Sequence, residues 1–389
     1  MKIKIIAALT LCFIGVNALA QINYQAPGRS LTINSKDDKV KMKFSFRVQS
    51  LFSFENDVDA PVEDASMQAM IRRMRLKSNG HIYDPKFEYK LEMAFSQRDM
   101  SSSKDYDQVG KASKVVLDAV LKYHLNDKNQ VWFGQTKLPG NRERVISSRD
   151  LQFVDRSLVN SRYNIDRDFG VHLRSKKKIG EMPVNLALAV TNGEGRNIRG
   201  DNEKSGLAYT GRVEVYPLGK FSHKKSSYYS ADLKGEEKPK LAVGVTYSSN
   251  QNTNRNGQVG NFITDTAGNV FNTINTAFID AVFKYKGLSV ATEYANKQLA
   301  EAKTGFSQGT GFVVQSGYML KNNYEISGRY TDINLQKGLA ASVNTTEYTL
   351  GFSKYVVGHM LKWQTDVSFV QTEGGQDSYR FRFQFEYGI

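Results

Sequence analysis

The sequence predicts an all-β chain, a transmembrane antiparallel β-barrel of about 16 strands, and three observations lead there. The stretch SYRFRFQFEYGI sets Tyr379, Phe381, Phe383, Phe385 and Tyr387 on one face and Arg380, Arg382, Gln384 and Glu386 on the other. A soluble sandwich would bury the apolar face, whereas a barrel wall turns it to lipid and turns the polar face to a wet lumen. Many further segments share this period of two, and the connections between them alternate long and short, as in outer-membrane barrels. The composition agrees: 22 Phe, 20 Tyr and 31 Gly against 7 Pro suit strands and turns, and no apolar run is long enough for a spanning helix.

Residues 1–20 are expected to be a signal peptide. Lys2 and Lys4 precede an apolar stretch from Ile5 to Val16, and Ala18-Leu19-Ala20 offers a small-x-small cleavage site. Cys12 is the sole cysteine and lies in this stretch, with Leu11 before it where a lipoprotein site would need a small residue. The mature chain, 21–389, should therefore hold no disulfide and no thiolate metal site. Strands are predicted near 39–54, 67–83, 86–97, 113–125, 130–138, 168–176, 182–192, 206–217, 239–249, 276–286, 287–297, 309–321, 323–332, 346–356, 358–370 and 376–388. In the third of these, Phe87, Tyr89, Leu91, Met93 and Phe95 share one face, and Lys90 and Glu92 share the other.

Long connections fall near 55–66, 98–112, 139–167, 193–205, 250–275, 298–308, 333–345 and 371–375. The short ones are at 84–85, 126–129, 177–181, 286–287, 322 and 357. Segment 218–238 breaks the alternation, being long where a tight turn is due. It reads as a disordered periplasmic loop or as a segment that docks a periplasmic partner.

With aromatic residues marking the lipid face, register assigns the charges. Closing the barrel puts the last strand beside the first. The first, second and last strands turn Lys41, Lys43, Arg47, Arg73, Arg75, Lys77, Arg380 and Arg382 inward, against a single acid, Glu386. One sector of the wall should be strongly positive unless Glu88 and Glu92 neutralise it across the strands. Strict alternation leaves Arg72 on the lipid side, so it should lie near the rim, be turned inward by a bulge, or be covered by another subunit.

The connection 139–167 adds Arg142, Arg144, Arg149, Arg156, Arg162 and Arg167, with no lysine. A guanidinium fork grips phosphate or carboxylate through paired hydrogen bonds. Val145, Ile146, Leu151, Phe153, Leu158 and Val159 lie between the arginines, as in a loop packed into the lumen as a constriction. Alternatively, the arginines pair structurally with Glu143, Asp150, Asp155 and Asp166. The candidate anion-binding residues are Arg47, Arg72, Arg73, Arg75, Lys77, Arg142, Arg144, Arg149, Arg156, Arg380 and Arg382.

These residues resemble a known family. IRRMRLKSNG (Ile71 to Gly80), FEYKLEMAF (Phe87 to Phe95), FGQTKLP (Phe133 to Pro139), VDRS (Val154 to Ser157), RDFGVHL (Arg167 to Leu173), VTNGEG (Val190 to Gly195), YTGR (Tyr209 to Arg212), GRY (Gly328 to Tyr330) and GHMLKWQTD (Gly358 to Asp366) are similar, in order, to the phosphate-selective porin O/P family. The resemblance implies a 16-stranded outer-membrane barrel, usually a homotrimer, whose third long loop folds into the pore. It implies that Arg72 and Arg73 line an anion path. Gly140 stands where the family tends to have Phe, and Asp155 where it has Glu.

The expected function is passive diffusion of small anions, phosphate among them, across the outer membrane of a Gram-negative bacterium. The alternative is a non-conducting scaffold or an accessory of a secretion machine. No enzyme is expected, because neither G-x-S-x-G nor H-E-x-x-H occurs. Neither a metal nor another cofactor is expected, since His81, His124, His172, His223 and His359 lack ligand spacing. Nucleic-acid binding would suit the formal charge of +14 but not the leader or the strand pattern. The loop sorting makes a topological prediction: cysteine at Gly257 or Ser307 should react with an impermeant thiol reagent on intact cells. Labelling at Asn322 instead would reverse the orientation.

Overall fold

The computed structural model describes residues 20–23, 30–96, 99, 115–197, 206–223, 225–258, 262–266, 268–336 and 343–389. The expected signal peptide, residue 20 apart, lies outside these, as do most of the connections expected at 98–112 and 193–205. The wall is a closed antiparallel barrel of 16 strands. They are β1 (Val40–Asp57), β2 (Ser66–Ile82), β3 (Asp84–Ala94), β4 (Val116–His124), β5 (Asn129–Lys137), β6 (Arg167–Ile179), β7 (Met182–Thr191) and β8 (Ala208–Val215). The second half comprises β9 (Lys240–Thr253), β10 (Asn272–Tyr285), β11 (Leu288–Leu299), β12 (Gly309–Met319), β13 (Tyr324–Leu335), β14 (Thr345–Val357), β15 (Leu361–Thr372) and β16 (Ser378–Gly388). Each pairs with its neighbours in sequence, and β16 closes onto β1 with Phe383 opposite Phe52 and Tyr387 opposite Val48.

Alternation decides which way the wall faces. Val213, Val245, Tyr247, Ile279, Tyr294, Phe312, Ile326, Leu350, Val367 and Phe381 are all exposed. Residues one step away, such as Glu214, Thr246, Asp280, Glu293, Glu325, Thr349, Asp366 and Arg382, are buried. This is a soluble protein turned inside out, and exposed apolar surface on that scale marks a lipid-facing wall. Short turns carry the expected chemistry: Lys286 and Gly287 both have positive φ (47° and 86°), the twist that suits a two-residue hairpin.

Two features depart from the sequence expectation. Ala20–Asn23 and Leu31–Ser35 form a hairpin, and the second of these strands pairs with Lys41–Phe44 where β1 runs past the end of β16. Leu31 and Ile33 alone give too short an apolar alternation to announce a strand. The stretch 218–238, for which the expected alternatives were a disordered loop or a segment that docks a periplasmic partner, departs from the first of these: Phe221, Ser226, Ser227, Ser230, Ala231 and Asp232 are buried. Its polar backbone is held by the barrel: the Lys284 ammonium donates to the carbonyls of Ser226 (2.9 Å), Tyr229 (2.8 Å) and Ala231 (2.7 Å).

The inside-out wall sets a stability test. Leu350 is 73% exposed midway along β14. Leu350→Arg should lower folding stability in lipid vesicles by about 2–4 kcal/mol, read from denaturant titration. An unchanged midpoint would mean that this face does not meet lipid.

Candidate functional site

The site is built by the connection between β5 and β6, which is bonded to the polar face of the wall on several sides. Its entry is tight: a Cβ on Gly140 would lie 2.5 Å from Ile165 Cγ1, so only glycine lets the two ends of the segment meet. Asn141 donates to Glu293 Oε1 (2.8 Å), which anchors a short helix, α1 (Arg142–Val145). A second helix, α2 (Leu158–Tyr163), is capped by Ser157, whose hydroxyl accepts from the Asn160 N–H (3.2 Å). Ser157 in turn donates its N–H to Glu143 Oε1 (2.8 Å), tying α1 to α2.

One side of this segment is anchored by packing and buried charge. Val159 and Tyr163 of α2, with Leu138 and Ile165, pack on Phe278, Ala295, Val313, Ile333 and Leu335, an apolar patch on the otherwise polar inner face. The Arg142 guanidinium donates to Asp280 Oδ1 (2.7 Å), Glu214 Oε2 (2.8 Å) and the Ser227 carbonyl (3.0 Å). Arg212 grips the same two carboxylates at 2.5–2.9 Å, so two guanidinium groups balance two acids with nearly all donors satisfied. Gln152 reaches Glu325 Oε1 (2.7 Å), and Lys362 donates to the Arg149 and Leu151 carbonyls (2.7 and 3.1 Å). Glycines on the wall make room: a Cβ at Gly317 would sit 1.7 Å from Gln152, and one at Gly351 3.0 Å from Phe153.

The other side meets β1 and β2. Arg73 pairs with Gln49 and Ile71 with Ser50, so Arg72 is an extra residue in a β-bulge. The bulge turns Arg72 inward beside Arg73, and both donate to Asp155, to Oδ2 at 2.6 Å and Oδ1 at 2.9 Å. Burial raises the Asp155 carboxyl, but the Arg73 and Arg72 charges outweigh it and hold its pKa well below the usual carboxylate range. Gln49, fully buried, links Arg73, Glu386 and the Ser148 carbonyl. Arg47 donates to Ser148 Oγ (2.7 Å) and pairs with Glu386 (3.3 Å).

Nine of the eleven candidate residues have a carboxylate partner. Besides Arg47, Arg72, Arg73 and Arg142, Arg75 pairs with Asp99 (3.0 Å) and Glu92 (3.3 Å), Arg149 with Asp150 (3.0 Å), and Arg144 with Asp166. Arg380 pairs with Glu347 (2.5 Å) and Arg382 with Asp366 (2.6 Å). The two exceptions differ. Arg156 donates to the Glu143 and Ile146 carbonyls (2.9 and 2.7 Å), and Lys77 has no hydrogen-bond or ion-pair partner among the described residues. Burial, with Arg144 and Arg73 alongside, pulls the Arg156 guanidinium well below its usual pKa and outweighs the opposing pull of Glu143 and Asp155.

Sequence reasoning missed three contributors. Lys137, at the end of β5, donates to the carbonyls of Arg144, Val145 and Ile146 (2.7–3.2 Å) and so caps α1 with a positive charge. Trp132 is flanked by two cations, Lys122 at 4.5 Å and Arg174 at 4.8 Å from the ring centroid. Gln49 carries no charge and gave no signal. Among the described residues, no cluster of three or more His, Cys, Asp or Glu side chains could hold a metal.

Comparison with known proteins follows this geometry. The profile of the family "phosphate-selective porin O and P" matches residues 42–379. No curated protein sequence matches the chain. Among solved structures, the anion-selective porin from Comamonas acidovorans aligns with a TM-score of 0.58 at 10% identity, over 90% of this chain and 99% of that one. OprB from Pseudomonas putida gives 0.56 at 10% identity, over 90% and 94%. The trimer form of the Vibrio cholerae outer-membrane protein OmpT gives 0.53 at 11% identity, over 90% and 99%. Identities this low speak to the fold alone.

The buried network makes a testable demand. Arg142→Ala leaves Glu214 and Asp280 with one guanidinium between them and should lower stability by about 3–5 kcal/mol. Arg142→Lys, which keeps charge without the fork, should fall between the two. A variant as resistant to denaturant as the parent would show that Arg142 does not anchor the segment.

Proposed function

Because the chain belongs to the phosphate-selective porin O and P family, we propose that it forms a water-filled outer-membrane pore through which small anions diffuse passively, with phosphate the solute the family's name points to. The observation that carries the preference for anions is the inward-facing charge left over after ion pairing. Lys77, Arg156 and Arg174 lack a carboxylate partner among the described residues, whereas the acids of the 139–166 segment are engaged. A half-buried cation without a paired carboxylate is stabilised by any anion that reaches it, and a cation arriving there is repelled. The segment, bonded to the polar face on several sides, is the constriction in this reading.

Arg72 and Arg73, which the resemblance places on the anion path, are occupied by Asp155. In this reading they hold the constriction in place and supply long-range positive field, while Arg156 and Lys77 meet the solute directly. Weak, serial contacts of this kind let an ion enter and leave quickly. A homotrimer in outer-membrane lipid fits the same reading, since the OmpT neighbour is described as a trimer. The second reading, a non-conducting scaffold, draws support from the folded segment 218–238, which occupies space on the polar side of the barrel.

Single-channel recording separates the two. The purified protein should conduct in a planar bilayer and give a reversal potential on the anion side in a chloride gradient. Charge reversal with Lys77→Glu and Arg156→Glu should shift that potential toward cations. Arg156→Lys should keep chloride conductance but weaken any block of that current by phosphate, because lysine lacks the fork. No conductance at all would favour the scaffold, and conductance with no anion preference would overturn the assigned path.

A further inference from the structure

Alternation makes the outer face of the wall apolar, and on β14 one lysine breaks the rule. Lys354 lies in phase with Leu350 and Phe352, which are exposed, and out of phase with Ser353 and Tyr355, which are buried. It therefore shares the face that the fold turns to lipid. Register sets it opposite Tyr324 of β13 on one side and opposite Trp363 of β15 on the other, and Trp363 opposite Phe385 of β16. These four residues form one row across four strands. The next row adds Phe352 and Phe383, and the rings join: Tyr324 stacks on Phe352 at 5.6 Å, Phe352 meets Trp363 at 5.6 Å, and Trp363 meets Phe383 at 6.4 Å.

A charge held in hydrocarbon is costly, and Lys354 escapes by reaching for the end of the barrel. Its ammonium lies over the Tyr324 ring, 4.1 Å from the centroid, and donates to the Asn322 carbonyl. Asn322 belongs to the short turn between β12 and β13, so the charge is drawn to the level of that turn while the aliphatic stem stays among the rings. The carbonyl takes one of three ammonium donors. Among the described residues no carboxylate pairs with Lys354. Lys321, exposed in the same turn, adds a second positive charge. In the β10–β11 turn the exposed Lys286 repeats the arrangement, over the Tyr285 ring at 5.2 Å.

We propose that this row is a binding site for an anionic phospholipid, with the Lys354 ammonium on the headgroup phosphate and the acyl chains along Phe352, Trp363 and Phe383. The proposal needs the lipid-facing wall and not the pore reading. With the long connections outside, the site opens on the periplasmic leaflet. Two features select an anionic headgroup over a zwitterionic one. The Tyr324 face, where a headgroup ammonium would sit, is already taken by Lys354. Lys321 and Lys286 leave the rim positive, which favours a lipid of net negative charge. An aromatic girdle alone binds every lipid alike and has no use for an unpaired ammonium.

The test reads tryptophan fluorescence of the full-length chain folded into vesicles of equimolar phosphatidylglycerol and phosphatidylcholine. Bromine is carried on the acyl chains of one lipid or of the other. Bromine quenches only at short range, so Trp363 reports and the other tryptophan, Trp132, which stands between Lys122 and Arg174, gives a constant background. Quenching should be stronger with bromine on phosphatidylglycerol, corresponding to about fivefold preferential occupancy, the contribution of one lysine at an anionic surface. Lys354→Gln should make the two labels equal, and Lys354→Arg should keep the preference. Equal quenching in the parent overturns the site, as does a preference that survives Lys354→Gln or Trp363→Phe. No quenching with either label means that another subunit covers the row, which overturns it as well. Should Lys354→Gln fail to insert, native mass spectrometry of the parent decides. Phosphatidylglycerol retained over phosphatidylcholine supports the site, and equal retention overturns it.

Discussion

A chain that crosses lipid with strands must pair every backbone N–H and C=O with a neighbour, and the closure of β16 onto β1 is what makes that possible here. Once the sheet is closed, alternation has only two destinations, lipid and lumen. Phe381 and Phe383 go outward, so Arg382 and Gln384 must go inward. The polar interior follows from that constraint, and so does the need to neutralise what is placed there. An isolated buried charge is costly, and the connections that fold back supply many of the counter-charges and carbonyls that the wall lacks.

Segment 139–166 is held by three kinds of contact that answer different parts of this demand. Apolar packing of α2 on Phe278 and Ile333 uses a patch of wall that would otherwise face water. Arg142 compensates Glu214 and Asp280, and Asp155 compensates Arg72 and Arg73. Wall glycines such as Gly317 and Gly351 admit Gln152 and Phe153 at contact distance. Breaking buried pairs of this kind is far more disruptive than their net contribution suggests. In the proposed reading, selectivity is a property of the remainder: the charges that no acid pairs with.

Much of the fold was legible in the sequence because its signal is local. All sixteen wall strands fall where period-two alternation placed them, and the sorting of long and short connections needed only chain order. The bulge at Arg72 was one of three arrangements open to an arginine out of phase with its strand; opposing Ser50 to Ile71 is what selects it. The identity of the partners was not legible. Asp155 meets residues more than eighty positions away in sequence, and nothing in the order of residues says that it, rather than a solute, occupies the two guanidinium groups.

The sequence by itself determined the barrel, its strand number, its two faces and the surplus of basic residues near the closure, because each is a consequence of alternation and composition. Tertiary structure decided which of those bases remain available. Ion pairs form between side chains brought together by closure and by two connections bonded to the polar face of the wall, and that bonding depends on glycine clearances, an apolar patch and carbonyls that meet Lys137, Lys284 and Lys362. The length of 218–238 could be counted in the sequence, but its attachment to the polar face of the wall could not. Three carbonyls converging on one buried ammonium are a property of folded backbone, which no residue in the segment encodes alone.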